Sequence, residues 1–245
     1  MAESKKIAII NINDKLKGIV KEIRKLSDYK ITLIIPNKET WLKNTAWHPC
    51  NLDGINIIFS NPKDSKMLQN IKDFESVVVL RDPDIACDAE TALVTVAIEE
   101  ADKNIHTVAE VYGSINKQHI ETLNIDEIVC VGEITEKMIA QGAITSKIDK
   151  LFKFLLDTDK DTAEIFIRKL PVDFWGENKT FQDVLKYFLE LNIKIIPIGY
   201  INKYKKSNRI IREYKLNPIL KEDKEKVLSE ENEIVFLGIR SNFNL

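Results

Sequence analysis

Short polar side chains follow the first apolar segment of the chain. The stretch from residue 7 to 20 (IAIININDKLKGIV) predicts a buried strand, a short loop and the start of a helix. A dinucleotide loop at such a position is glycine-rich (G-x-G-x-x-G), because the turn is tight and backbone N–H groups must approach the pyrophosphate. Asn11, Asn13 and Leu16 stand at the three glycine positions. Asparagine tolerates a left-handed backbone, so the turn can form, but its side chain takes the space of a pyrophosphate.

The second apolar segment also lacks a group that a dinucleotide site needs. An Asp or Glu at the end of that strand ordinarily binds the ribose hydroxyls, whereas Ile35 and Pro36 stand there. Classical NAD binding is therefore not expected. Any nucleotide that binds is expected to be an adenine nucleotide held by the loop and by the ends of neighbouring strands. The candidate ligand-binding residues are Asn11, Asn13, Asp14, Lys15, Ser60, Asn61, Arg81 and Asp82.

The other reactive side chains form no catalytic or metal-binding pattern. His106 and His119 have no Ser or Cys partner at the spacing of a recognised catalytic motif. The HPC sequence at residues 48–50 lacks a second pair of metal ligands. The three cysteines form no CxxC pair, which favours a reducing cytoplasm over a disulfide framework; they are Cys50, Cys87 and Cys130. The sequence therefore predicts no enzyme activity.

Alternating strands and helices are predicted to position these residues. Six short runs rich in β-branched residues are typical of a parallel sheet covered on both faces; they are residues 6–12, 30–36, 55–60, 76–81, 106–111 and 127–132. Apolar residues at helical spacing lie between several of them, most clearly from residue 16 to 26. This order predicts a doubly wound, Rossmann-like α/β domain over residues 1–133.

Two helices are predicted from residue 134 to 156, joined at Thr145-Ser146, with Ser146 as the N-cap of the second. An apolar stripe at helical spacing runs through both, and it comprises Ile134, Met138, Ile139, Ile144, Ile148, Leu151, Phe152 and Leu155. Little else in the predicted chain would bury it. The stripe is thus a candidate dimer interface, and packing within one chain is the alternative.

A smaller α+β domain is predicted over residues 157–245. Its pattern is a strand at 162–170, a helix at 180–191 that Thr180 can cap, and strands at 193–201, 209–214 and 233–239. The net charge of the 245-residue chain is −2, so attraction to nucleic acid is not expected. A basic cluster at 202–209 is interpreted as a solvated loop. The apolar runs are far shorter than the roughly 20 residues that span a bilayer, and no signal peptide is evident.

Three successive segments of the chain resemble the regulator of potassium conductance (RCK, or TrkA-N plus TrkA-C) family. They begin at residues 61, 88 and 119 and read NPKDSKMLQNIKDFESVVVLRD, DAETALVTVAIEEADKNIHTVAEV and HIETLNIDEIVCVGEITEKMIAQGAI. SNPKD (60–64) matches a GDPTD-like turn, and the DAET, AEV and ADEVV…AQ motifs follow in order at 88–91, 109–111 and 126–141. The later GENKTF and NP…NEIVFLGI segments resemble the small C-terminal subdomain of the family, although Glu231-Asn232 replaces its usual Gly-Asp.

The resemblance implies a cytosolic regulatory domain that forms homodimers through residues 134–156. The dimers would assemble into a ring, octameric in the fullest case, beneath a membrane-embedded potassium channel or a Trk/Ktr-type transporter subunit. Some channel copies bind calcium through acids in the AEV strand and two residues beyond it. Glu110 matches the first acid, with Asp82, Asp84 or Asp88 as further candidates, but Tyr112 replaces the second. The alternatives are an NAD(P)-dependent oxidoreductase and an RCK copy that holds the ring together without sensing a ligand.

Overall fold

A computed structural model describes residues 5–26, 28–85, 87–113, 116–117, 120–123, 125–156, 162–191, 193–206, 209–218, 220–239 and 243. The chain divides into two units, Met1–Ser146 and Lys147–Leu245. Each unit has its own sheet, parallel in the first and antiparallel in the second.

The first unit is built on a six-stranded parallel sheet. The strand order is β3-β2-β1-β4-β5-β6, with β1 Lys6–Ile10, β2 Lys30–Ile35, β3 Ile55–Phe59, β4 Ser76–Val79, β5 His106–Val111 and β6 Glu127–Cys130. The helices are α1 Leu16–Leu26, α2 Lys38–Lys43, α3 Ser65–Asn70, α4 Asp88–Ala101 and α5 Val131–Ile144, with 3₁₀ turns at Thr45–Trp47 and Ile71–Asp73. The predicted Rossmann-like fold is confirmed. The strand order reverses between β1 and β4, and such a reversal opens a crevice at the carboxyl ends of the strands.

Apolar side chains on both faces of the central strands hold this sheet in place. Along β2, Ile31, Leu33 and Ile35 pack on one face against Leu16 and Val20 of α1. The opposite face packs against α3 and α4 through a second cluster, which comprises Ala8, Ile10, Ile34, Met67, Ile71, Val77, Val79, Val94, Ile98 and Ile105. Burial on both faces explains why these strands read as continuous apolar runs.

The helix α5 begins at Val131, three residues before the predicted start. No loop separates it from β6, which ends at Cys130. The next helix, α6 (Ile148–Leu155), follows Lys147, whose φ of 67° is left-handed. The prediction that Ser146 caps α6 is wrong, since the left-handed residue separates Ser146 from the helix and α6 has no side-chain cap. Both helices are fully described, and neither buries a single residue.

The second unit is a four-stranded antiparallel sheet covered by a helix. The strand order is β7-β10-β8-β9, with β7 Glu164–Arg168, β8 Ile195–Lys206, β9 Arg209–Leu216 and β10 Glu233–Gly238. The other elements are α7 Phe181–Glu190, α8 Lys221–Lys224 and a 3₁₀ turn at Val172–Phe174. Phe188 of α7 packs on Phe236 with ring centroids 4.9 Å apart. Thr180 caps α7 as predicted, in a reciprocal capping box with Asp183.

Candidate functional site

The turn after β1 forms without glycine. Asn11 adopts a left-handed φ of 69°, and its buried side chain donates a hydrogen bond of 2.8 Å to the Leu80 carbonyl at the end of β4. Asparagine reaches this conformation at little cost and satisfies a neighbouring backbone oxygen at the same time. The loop therefore keeps the turn of a dinucleotide site while tying β1 to β4.

The Asn13 side chain lies across the crevice rather than beside it. Its Nδ2 donates to Glu110 Oε2 at 2.7 Å and to the Arg81 carbonyl at 3.2 Å, and its Oδ1 accepts from the Lys15 backbone N–H at 3.0 Å. Asn13 is 4% exposed. One amide thus joins the loop after β1 to the ends of both β4 and β5, in the space that a glycine would leave open.

Glu110, at the end of β5, is the centre of this network. The carboxylate is 7% exposed and accepts hydrogen bonds from Asn13 and from the Arg81 backbone N–H at 3.0 Å. Lys15 Nζ lies 3.0 Å from its other oxygen. Burial lowers the pKa of Lys15, but its hydrogen bond and charge interaction with Glu110 outweigh burial, so the net pKa is raised. The buried carboxylate is therefore satisfied by donors of its own chain, including one cation.

A second neutralised carboxylate lies at the start of α4. Asp88 accepts backbone hydrogen bonds from Tyr112 at 3.0 Å and Gly113 at 2.9 Å, and an amide hydrogen bond from Asn116 at 2.9 Å. Arg81 Nε lies 3.3 Å from it, and the Arg81 guanidinium lies over the Tyr112 ring at 5.5 Å. Burial raises the pKa of Asp88, but the three hydrogen bonds and the Arg81 charge together lower it below its ordinary value.

Two internal ion pairs, Lys15 with Glu110 and Arg81 with Asp88, therefore occupy the crevice. A phosphate entering here would meet the Glu110 carboxylate behind the Asn13 amide, and like charges repel. A hard cation prefers six to eight oxygen ligands, while both carboxylates already accept several internal hydrogen bonds. Among the residues that the structure describes, no group of three or more His, Cys, Asp or Glu side chains is arranged to hold a metal ion. The role of Glu110 as a metal ligand stays a prediction.

The remaining candidate residues lie outside this network. Asp14 is exposed and pairs with Lys15 at 3.3 Å. Asp82 Oδ1 accepts from the Asp84 backbone N–H at 2.8 Å, and Asp84 Oδ2 accepts from the Thr40 hydroxyl at 2.9 Å. Both contacts stabilise the loop after β4.

The Ser60 and Asn61 side chains follow β3 at the edge of the sheet, and they make only local contacts. The Ser60 hydroxyl lies 3.5 Å from the Asn61 carbonyl, and Asn61 Oδ1 accepts from the Lys63 backbone N–H at 3.0 Å. The structure thus brings together Asn11, Asn13, Lys15, Arg81 and Glu110. The interpretation of residues 202–209 as a loop is wrong for most of the cluster, since β8 runs to Lys206 and β9 begins at Arg209. His119 and residues 207–208 lie outside the described residues.

The sequence reasoning underestimated Asp88 and missed Asn116. Asp88 appeared as an accessory metal candidate and as the first residue of the DAET motif, and its backbone donors, Tyr112 and Gly113, lie 24 and 25 positions away, beyond the reach of a local pattern. Asn116 gave no signal, because its contact with Asp88 joins residues 28 positions apart.

A cavity of about 400 Å³ lies beside the Asp88 network, between the end of β5 and α5. Its lining comprises Tyr112, Gly113, Asn116, Gly132, Thr135, Glu136 and Ile139. The Gly132 backbone N–H donates to the Tyr112 carbonyl at 3.1 Å, and a Cβ at Gly132 would lie 2.2 Å from that oxygen. Glycine is thus required for α5 to start so close to β5.

Half of the predicted dimer stripe is open to solvent in the single chain. Ile139 is 69% exposed and Ile144 is 81% exposed, and Ile134 and Leu151 are about half exposed. The other four, Met138, Ile148, Phe152 and Leu155, are half-buried. Leu156 beyond the stripe is exposed as well. Exposed apolar groups are typical of interaction surfaces when they form a contiguous patch, and the role of the stripe as a dimer interface stays a prediction.

The chain shares its fold with a solved gating ring. No protein-family model matches it, and no curated protein matches it. The human SLO3 gating ring matches with a TM-score of 0.63 and 16% sequence identity, over 97% of this chain and 45% of that chain. The GsuK RCK domain gives a TM-score of 0.45 at 15% identity, over 98% and 45%. The TrkA-N domain of the Escherichia coli inner membrane protein ybaL gives 0.43 at 10%, over 57% and 98%.

The chain thus spans less than half the length of the SLO3 gating-ring chain that it matches. The likeness concerns the fold, and it agrees with the RCK-type fold that the sequence resemblance implied. Within the described residues, no helix combines the length and the hydrophobicity needed to cross a bilayer.

Proposed function

We propose that the chain is a cytosolic regulatory domain that assembles into a gating ring and controls potassium movement through a channel or a Trk/Ktr-type transporter subunit. The observation that carries the proposal is the exposure of α5. This helix follows the last strand of the parallel sheet, and none of its residues is buried. A helix of this kind needs a partner surface, and burying each Ile or Met side chain contributes about 1.5–3 kcal/mol. The gating-ring fold supports the same conclusion.

In this proposal the domain dimerises through residues 134–156, and dimers form a ring at the inner face of the membrane. A ligand of the ring would act only through its different affinities for two ring geometries. The filled crevice favours a copy that transmits or holds the ring geometry over one that senses a nucleotide there. The Asn13–Glu110 hydrogen bond of 2.7 Å would have to break before a pyrophosphate could enter.

Two alternatives remain as proposals of lower rank. An NAD(P)-dependent oxidoreductase needs an open pyrophosphate loop and a catalytic acid or base, and Asn13 closes that loop. A divalent-cation site at Glu110, completed by Asp82, Asp84 or Asp88, would require the cation to displace Lys15 from the Glu110 carboxylate. Isothermal titration calorimetry with NADH and with Ca²⁺ tests both, since micromolar binding of either would favour the corresponding alternative.

Light scattering on the purified chain tests the assembly. The wild-type chain is expected to be dimeric or larger at micromolar concentration. Ile139→Glu with Ile144→Glu places two charges on the exposed side of α5 and is expected to give folded monomers. Val172→Glu with Leu189→Glu is the matched control, because both residues are equally exposed aliphatics on the second unit. A monomeric wild-type chain at high micromolar concentration would contradict the ring.

A further inference from the structure

The sheet of the first unit leaves part of one face open. The face that carries Ile31 and Leu33 is packed against α1. On the other face, alternate residues of β2 and β3 bring Thr32 and Asn56 into register. A cavity of about 500 Å³ opens there, between these two strands and α3. Its volume lies in the range of small-molecule sites, which is about 300–1,000 Å³.

Uncommitted polar side chains line this cavity. Thr32 is 8% exposed, and its hydroxyl, which donates to no other described residue, is not among the enclosed polar atoms that lack a partner, so solvent reaches it. The Asn56 and Asn70 amides also line the cavity, and the described residues offer neither of them a partner. A hydroxyl that lines a solvent-filled cavity can exchange its hydrogen bond to water for one to a bound ligand. On the opposite face of β2 and β3, which is covered by α1, the neighbouring residues Ile31, Leu33 and Ile57 are all apolar.

One end of the cavity is cationic. Lys6 and Lys30, the first residues of β1 and β2, are register partners, so their backbones are about 4.8 Å apart. Neither lysine forms an ion pair with another described residue. Asp73 is the acid in the lining, so two lysines face one carboxylate and one positive charge remains. Adjacent like charges are unfavourable by themselves, and an anion placed between them removes that cost.

The other wall is apolar and formed by Ile58, Met67 and Phe74. Met67 is buried and Phe74 packs partly against the core, so the wall is fixed in position. We propose that this cavity binds a small organic anion, with one carboxylate or phosphate group held by Lys6 and Lys30. Its aromatic or aliphatic body contacts Met67 and Phe74. The site lies at the amino ends of the strands, whereas the crevice with Glu110 lies at their carboxyl ends.

The three methionines of the chain provide the test, since Met67 lies in the cavity and Met138 lies on α5. The chain is labelled with ¹³C-methyl methionine and titrated with phenyl phosphate, benzoate and neutral benzyl alcohol. We expect a saturable shift of the Met67 methyl signal with at least one of the two anions, and no shift of Met138. Binding of one anion alone identifies the preferred acid group, and benzyl alcohol is expected to bind more weakly.

Charge variants distinguish binding at a specific site from nonspecific electrostatic attraction of the anion to the protein. Lys6→Gln with Lys30→Gln is expected to weaken binding of the preferred anion about tenfold, as charged hydrogen bonds do when lost, and to leave benzyl alcohol unaffected. Lys17→Gln with Lys21→Gln, on the exposed side of α1, changes the net charge equally and is expected to have no effect. Thr32→Val keeps the side-chain shape and is expected to weaken binding without loss of folding.

Three results would overturn the proposal. The first is a Met67 signal that does not move with either anion up to about 10 mM, a concentration at which even millimolar affinity is visible. The second is equal affinity for the anions and benzyl alcohol. The third is equal weakening by the Lys17/Lys21 control variant, which would mean that the anion senses only the overall charge.

Discussion

At the scale of single residues, the crevice shows how side chains replace a ligand. Glycine in the loop after β1 would leave space, whereas Asn13 fills that space and donates to Glu110. Glu110 in turn binds Lys15 and the backbone of Arg81. The polar groups that would contact a ligand in an open crevice here form hydrogen bonds and ion pairs with one another. These contacts therefore stabilise the folded domain instead of binding a ligand.

Glu110→Gln tests this interpretation. The substitution keeps the shape but removes the charge that Lys15 pairs with. Asn13 and Arg81 donate to one and the same carboxylate oxygen, so the amide keeps its oxygen there and turns its NH₂ donor toward the Lys15 ammonium. We expect a loss of about 1–3 kcal/mol in the free energy of unfolding by urea. Asp14→Asn is the control, because Asp14 is an exposed partner of the same lysine. An unchanged stability in Glu110→Gln would show that the network is not internally required.

Asp88 gives a pH-dependent prediction. Its pKa is lowered in the folded chain, so its contribution to stability is complete above the unfolded pKa of about 3.9 and is lost as the pH falls through the lowered folded value. Asp88→Asn is therefore expected to destabilise the chain at pH 7. The difference in the free energy of unfolding between wild type and Asp88→Asn should shrink as the pH falls below about 4, as measured by urea unfolding at several pH values. A difference that stays constant down to pH 2 would contradict the electrostatic origin.

At the scale of elements, the sequence predicted those features that depend on residues close together in the chain. The β-branched runs marked all six strands of the parallel sheet, and the Thr180 cap was readable because its partner Asp183 is three residues away. The failure at Ser146 has a local cause that no pattern announces, since Lys147 takes a left-handed conformation. The crevice contacts join residues as far as 97 positions apart. The sequence therefore predicted most of the residues at the site, but it did not predict that they pair with one another through ion pairs and hydrogen bonds.

The start of α5 offers an element-scale prediction. Gly132→Ala would place a Cβ 2.2 Å from the Tyr112 carbonyl oxygen, so α5 must shift away from β5. We expect destabilisation by about 1–3 kcal/mol, measured by thermal or urea unfolding. Gly142→Ala in the same helix meets nothing within 4 Å, and it should stabilise the helix by about 0.5–1 kcal/mol. Equal effects of the two substitutions would argue against close packing at Gly132.

At the scale of the whole molecule, a nearly neutral chain carries exposed apolar side chains on α5 of the first unit and on α6 of the second. The net charge is −2, so electrostatic repulsion does little to keep copies apart. On α6, in the second unit, Leu151 is half exposed and Phe152 is half-buried. Self-association through a surface that two copies share equally would cover these side chains with a single symmetric contact.

The last prediction follows from mass action. If the native chain is a dimer, its unfolding temperature must rise with protein concentration, because association stabilises only the folded form. Leu151→Glu with Phe152→Glu places two charges in the proposed contact and is expected to abolish this concentration dependence, giving either folded monomers or insoluble protein. The variant pair Val172→Glu with Leu189→Glu should keep the wild-type dependence, since those side chains lie elsewhere on the second unit. Calorimetry over a hundredfold range of concentration measures the effect, and a wild-type unfolding temperature that does not change across that range would contradict the dimer and the gating ring built from it.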